Sequence, residues 1–204
     1  MSSQEGVFSH DRYLFRRKVF QLVGGVFHIY DPYGRVVLYS EQKAFKLKED
    51  IRIYSDERRT NELLTIKARQ IVDFGATYDV VDPQTNSYVG ALRRKGLKSM
   101  LRDEWLFLDP QGQEIGVVGE DRMILAILRR ILGLVRLVSY LSYLFPQKYT
   151  VNMWGQPVAS FKQHFNPFVL KYTLDLSQDY EKRFDRRLAI AAGILLCAIE
   201  RRQA

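Results

Sequence analysis

Leu188–Ile199 reads LAIAAGILLCAI, twelve residues without a polar side chain, set between Asp185, Arg186, Arg187 and Glu200, Arg201, Arg202. Asp185 is placed to act as an N-cap, the interior residues are mostly good helix formers, and Arg201 and Arg202 follow where cations complement a helix dipole. The stretch therefore predicts a helix over 185–202. Twelve residues at ~1.5 Å each give ~18 Å, short of the ~30 Å hydrocarbon core of a bilayer, so a membrane span is not expected. A helix that is apolar on every side must be enclosed on every side. Its large aliphatics, Leu188, Ile190, Ile194, Leu195, Leu196 and Ile199, represent on the order of 10 to 18 kcal/mol of gross burial.

What encloses it is read from the residues upstream. From Tyr13 to Asp175 the chain repeats one pattern, a β-rich run, a turn of Asp, Pro, Asn or Gly, and a second run. Four such pairs are VFHIY-DPYG-RVVLYS from Val26, YDVV-DPQTN-SYVGALR from Tyr78, WLFL-DPQGQ-EIGVV from Trp105 and YTVNM-WGQ-PVASFKQ from Tyr149. Pro presets φ for the first turn position, and Gly or Asn accepts the positive φ that closes a hairpin. With further runs near Leu14–Phe20, Ile51–Tyr54, Leu63–Lys67 and Val169–Asp175, the pattern gives about twelve strands. In FVLKYTLDL, Phe168, Leu170, Tyr172, Leu174 and Leu176 alternate onto one face. An antiparallel sheet with one apolar face can close and lose its edges. The expected fold is mainly β, a closed antiparallel barrel around the C-terminal helix. Residues 1–12 are expected as a tail and 13–204 as one domain.

One segment departs from this pattern. Residues 122–145, RMILAILRRILGLVRLVSYLSYLF, place Arg122, Arg129 and Arg136 seven residues apart, with Arg130 alongside, opposite a wide apolar face. This is a basic amphipathic helix, and two readings stand: it packs on the barrel, or it meets a membrane interface or a partner. A second basic feature is Arg93, Arg94, Lys95, Lys98 and Arg102, five cations within ten residues. In a loop they create a positive field for phosphate, or form an ordinary solvated surface.

The whole chain of 204 residues carries a net charge of +8 and a pI of about 9.6, which favours polyanionic partners. Its lone cysteine, Cys197, lies inside the apolar helix and leaves no disulfide framework or zinc-ligand spacing. The N-terminal residues lack an apolar signal segment, and a cytoplasmic location is the default expectation, with a peripheral place at the inner membrane face. Nucleophile elbow, zinc-protease, Walker and dinucleotide-fingerprint patterns are absent, and His10, His28 and His164 lie far apart in sequence. A non-enzymatic protein without a cofactor or metal is expected.

The block GALRRKGLKSMLRDEW, Gly90–Trp105, and the terminal DRRLAIAAGILLCAIERRQ, Asp185–Gln203, resemble the LURP-one-related and phospholipid-scramblase-like proteins, with the hairpin FHIYDPYGRVV in support. The resemblance runs from about Tyr13 to the end and is closest to small single-domain members of bacterial type. It implies the tubby-like fold, a twelve-stranded barrel threaded by a hydrophobic helix. It also implies lipid contact, since tubby-type domains bind phosphoinositides and scramblases are associated with phospholipid movement. The chain departs from the scramblases in lacking a Pro-rich extension, a cysteine cluster and a long terminal apolar anchor. Where they carry a calcium-associated acidic segment, this chain has Asp175, Asp179, Glu181 and Asp185, interrupted by Lys182 and Arg183, and no calcium site is expected. The leading expectation is a phospholipid or membrane-surface module that uses the basic loop and the amphipathic helix. A self-associating protein-interaction domain is the alternative, and nucleic-acid binding comes third.

Overall fold

A computed structural model of the chain describes residues 6–18, 25–42, 50–69, 76–95, 104–120, 147–166 and 169–199. Twelve strands form one closed barrel in which every strand pairs antiparallel with its sequence neighbours, and the first closes onto the last. The strands are β1 (Arg12–Lys18), β2 (Gly25–Tyr30), β3 (Val36–Gln42), β4 (Ile51–Tyr54), β5 (Glu62–Ala68) and β6 (Thr77–Asp82). They continue as β7 (Ser87–Arg94), β8 (Trp105–Leu108), β9 (Glu114–Glu120), β10 (Lys148–Met153), β11 (Gln156–His164) and β12 (Val169–Asp175). The C-terminal helix, α1 (Arg186–Ile199), follows β12. The four expected hairpins are β2–β3, β6–β7, β8–β9 and β10–β11.

The turns form for the reasons legible in their residues. Asp31 Oδ1 accepts the backbone N–H groups of Tyr33 and Arg35, Asp82 Oδ1 those of Gln84 and Thr85, and Asp109 Oδ1 those of Gln111 and Gln113. Each aspartate thus holds its own turn closed. At β10–β11 the consecutive positive φ of Trp154 (50°) and Gly155 (80°) match the twist of the flanking strands.

Alternation puts Tyr13, Phe15, Phe27, Leu38, Phe107 and Phe161 inside, in one core cluster with the residues of α1. Leu188, Ile190, Ile194, Leu195 and Leu196, which point to opposite sides of the helix, are all buried, as are Ala191, Ala192 and Cys197. The side chain of Ile199 lies outside the described residues. Gly193 faces β1: a Cβ there would stand 2.5 Å from Phe15 Cζ. A glycine costs a helix interior about 1 kcal/mol relative to alanine, and here it makes room for an aromatic ring of the wall. Gly90, at φ +144°, lets β7 lie close to both the wall and the helix, since a Cβ there would clash with the Leu108 carbonyl oxygen and stand 3.2 Å from Leu188 Cδ1.

Both ends of α1 are capped. Asp185 accepts the Arg187 backbone N–H at 2.8 Å, as its N-cap reading predicts. Asp179, buried, accepts the N–H groups of Arg183 and Phe184 and pairs with the buried guanidinium of Arg186, which also reaches Asp11 at 2.9 Å. Residues expected as tail therefore contribute here: Asp11 holds Arg186, and Val7 and Phe8 pack against the core. At the other end the expected Arg201 and Arg202 lie outside the described residues, and another cation is described there. It is Arg17, buried on the inner side of β1, whose Nη1 donates to the Cys197 carbonyl at 3.1 Å. A guanidinium against the last carbonyls satisfies an orphan acceptor and complements the dipole.

Gly193→Ala should destabilise the protein by about 1–3 kcal/mol in urea unfolding despite the gain in helix propensity. Shortening the ring partner with Phe15→Leu should recover part of that loss, a coupling that a double-mutant cycle reads directly.

Acid sensitivity follows from the turn carboxylates. Burial pushes Asp31 and Asp175 up, but hydrogen bonds and a guanidinium, from Arg35 and Arg12 respectively, outweigh it and hold both below the usual carboxylate range. Groups with a depressed folded pKa contribute stability that is present above their unfolded values, about 4, and lost as pH falls through the folded ones. The melting temperature should therefore drop below about pH 4, and Asp175→Asn should flatten that drop.

Candidate functional site

The even-to-odd connections and the start of α1 lie at one end of the barrel, here the entry end. Strands β1, β3, β5, β7, β9 and β11 all run toward the opposite, exit end, where α1 also finishes. Both basic features read from the sequence depart from that exit end, one between β7 and β8 and the other between β9 and β10.

Three of the five clustered cations are described. Arg93 and Arg94 close β7 opposite Leu106 and Trp105 of β8, and Lys95 follows, its N–H donating to the Glu104 carbonyl at 3.0 Å. Arg93 points outward and pairs with Glu114, while Lys95 Nζ meets Glu104 at 3.2 Å. Arg94 shares the parity of Leu92 and is half-buried at the mouth of the barrel. Two of the three thus already carry a carboxylate, which lowers the field the sequence cluster suggested. Lys98, Arg102 and the helix residues Arg122, Arg129, Arg130 and Arg136 lie outside the described residues.

The acidic run before α1 is taken up by architecture. Asp175 receives Arg12 at 2.7 Å and the Ser177 N–H at 3.0 Å, Glu181 meets Arg183 at 3.5 Å, and Asp185 meets Arg187 at 2.7 Å. With Asp179 on Arg186, each carboxylate of the run has a partner in the protein. Among the described residues no three His, Cys, Asp or Glu side chains gather as a metal site. The three histidines stay apart: His10 lies edge-on to Tyr13, His28 bonds Glu57 at 2.7 Å, and His164 bonds Thr173 at 2.7 Å.

Sequence reasoning overlooked the outer wall formed by β10, β11, β12 and β1. Register places Lys148 opposite Lys162, and Arg16 opposite Lys171, which in turn lies opposite His164. Like charges directly across a sheet are destabilising. Burial, and then Lys162 and Lys171, hold the His164 imidazole below its ordinary value. These residues stand far apart in the chain, so only alternate-position cations on strands that pair would have revealed them. No helix among the described residues is long and apolar enough to cross a membrane.

A family model described as LURP-one-related matches residues 36–197, from the first residue of β3 to within two residues of the end of α1. No curated protein and no solved structure matches the chain. The matched span leaves out β1 and β2, which the topology requires to close the ring between β3 and β12. Barrel, central helix and matched span agree, and the chain belongs to the LURP-one-related family.

Proposed function

We propose that the protein is a non-enzymatic module that binds the surface of anionic phospholipid membranes through the exit end of its barrel. The observation that carries the reading is directional. An all-antiparallel meander sends both the Arg93–Arg102 stretch and the 122–145 segment from one end, while the entry end is occupied by short turns and by carboxylates already paired with arginines. Cations near an anionic leaflet contribute ~1 kcal/mol each, and an amphipathic segment supplies the second signal that stable association requires. The scramblase-like part of the resemblance adds lipid as the ligand class. Retention of the protein near a membrane would then be peripheral and reversible.

Purified protein should float with vesicles containing phosphatidylserine and not with phosphatidylcholine alone, and the bound fraction should fall steeply between 50 and 300 mM salt, roughly the range over which the Debye length contracts to several ångströms. Replacing Arg129, Arg130 and Arg136 together with Glu should abolish flotation. Equal flotation with neutral vesicles, or none with either, would overturn the reading. Steep salt-dependent retention on DNA or RNA without vesicle binding would point to nucleic acid instead.

A further inference from the structure

One of the three histidines belongs to the exit end. His164 closes β11 there and is exposed; Phe161 faces the core, and alternation carries Lys162 and His164 to the outer side. The chain returns from the 122–145 segment right beside it. The Gln163 N–H donates to the Gln147 carbonyl at 2.8 Å, and the Gln147 N–H donates to Gln163 Oε1 at 3.1 Å. Phe165, the next residue, is 60% exposed. Among the described residues the other exposed large hydrophobics, Tyr33, Val36, Trp154 and Tyr180, all stand at the entry end. The imidazole is thus set beside the apolar side chain that the exit end exposes and beside the strand that follows the amphipathic segment.

Charged groups approach this imidazole from two strands. Lys162 lies two residues back on β11, and Lys171 stands directly opposite on β12. Burial first, and then both lysines, hold the ring below its ordinary value. Beyond them, register sets Lys148 of β10 opposite Lys162 and Arg16 of β1 opposite Lys171. The carboxylate of β12, Asp175, lies at the entry end with Arg12 at 2.7 Å. The Thr173 hydroxyl meets Nε2 at 2.7 Å. A hydroxyl donates to a neutral ring nitrogen or accepts from a protonated one, so the ring can change charge without moving. The other histidines are placed differently. His28 has Glu57 at 2.7 Å, which would neutralise an added proton locally, and His10 precedes β1 at the entry end.

We propose that His164 makes the membrane attachment of the exit end proton-sensitive: charged between Lys162 and Lys171 and next to Phe165, it adds a head-group contact that its neutral form lacks. This rests on the membrane reading above and supplies its regulation. With Phe165 in the interface, the neighbouring imidazole stands at head-group level. Phosphates there offset the two lysines, so the bound protein holds the proton more tightly than the free protein. Binding then strengthens as pH falls through the imidazole's range, because proton uptake and membrane binding favour each other reciprocally.

The deciding experiment is flotation of the full chain with vesicles of phosphatidylcholine, alone or with phosphatidylglycerol, whose phosphate stays ionised throughout. Ionic strength is fixed and low, and pH runs between about 8 and about 5, above the acid loss of stability. The parent should bind anionic vesicles about fivefold more tightly at the acid end, the effect of one added cation near the leaflet. His164→Gln should bind at the parent's weaker level throughout, and His164→Lys, with a fixed charge, at its stronger level throughout. His28→Gln should keep the parent's pH dependence. His164 is exposed, so His164→Gln should melt with the parent, and its lost pH dependence then reads charge rather than folding. If the parent floats with anionic vesicles equally at both ends of the range, or if His164→Gln keeps the acid strengthening, His164 is not the sensor and the membrane reading stands without it. If the parent fails to float with anionic vesicles at any pH, or floats equally with neutral ones, both fall.

Discussion

Everything in this fold answers to the enclosure of α1. A helix with Leu188 and Leu195 on one side, Ile190, Ile194 and Cys197 on the opposite side and Ala191 and Ala192 buried as well has no surface that water tolerates, so the wall must be complete around it. Completeness is a property of ring closure. β1 has to meet β12 across seven register pairs, from Arg12–Asp175 to Lys18–Val169, at the far ends of the chain. The helix then seals against that seam: Phe15 of β1 fills the space left by Gly193, and Arg17 of the same strand caps the last turn. The strand that closes the ring is therefore also the one that fixes the helix, so barrel and filling form a single cooperative unit.

Much of this was legible because it is local. Aspartate turns announce themselves within four residues, and the carboxylate of Asp31, Asp82 or Asp109 closes its own turn without help from elsewhere. Period-two alternation located the twelve strands, and Asp185 was identifiable as the cap of α1. What stayed hidden is what depends on register between distant segments. Arg17 shares parity with Tyr13 and Phe15, which places it inside, yet an arginine on a strand ordinarily reads as outward. Its reason for facing inward is the Cys197 carbonyl, 180 residues away. Asp179 likewise looked like part of an acidic run, and only its burial with Arg186 identifies it as a structural anchor.

The same limit explains the candidate site. A linear reading detects charge that is dense along the chain, and so it selected Arg93 to Arg102. Folding dilutes that density by giving Arg93 and Lys95 their carboxylates. It concentrates another density that was invisible, drawing residues 16, 148, 162 and 171 onto one wall through pairings of β1, β10, β11 and β12. Net charge of +8 is thus distributed unevenly in a way that composition could not reveal.

An uneven distribution also has an energetic meaning. Exposed ion pairs such as Arg52–Glu62 add little to stability, typically below about 1 kcal/mol, so their presence on one side is of small consequence for folding. Opposed cations such as Arg16 of β1 and Lys171 of β12 matter more, because like charges directly across a sheet oppose folding. The barrel tolerates this since its stability comes from the enclosed helix and from the closed ladder, neither of which involves the outer side chains of the wall. A core that stabilises the fold from inside leaves the outer face free to carry such charge, and the β1–β12 seam, which the interior cannot do without, is one place where opposed cations are set.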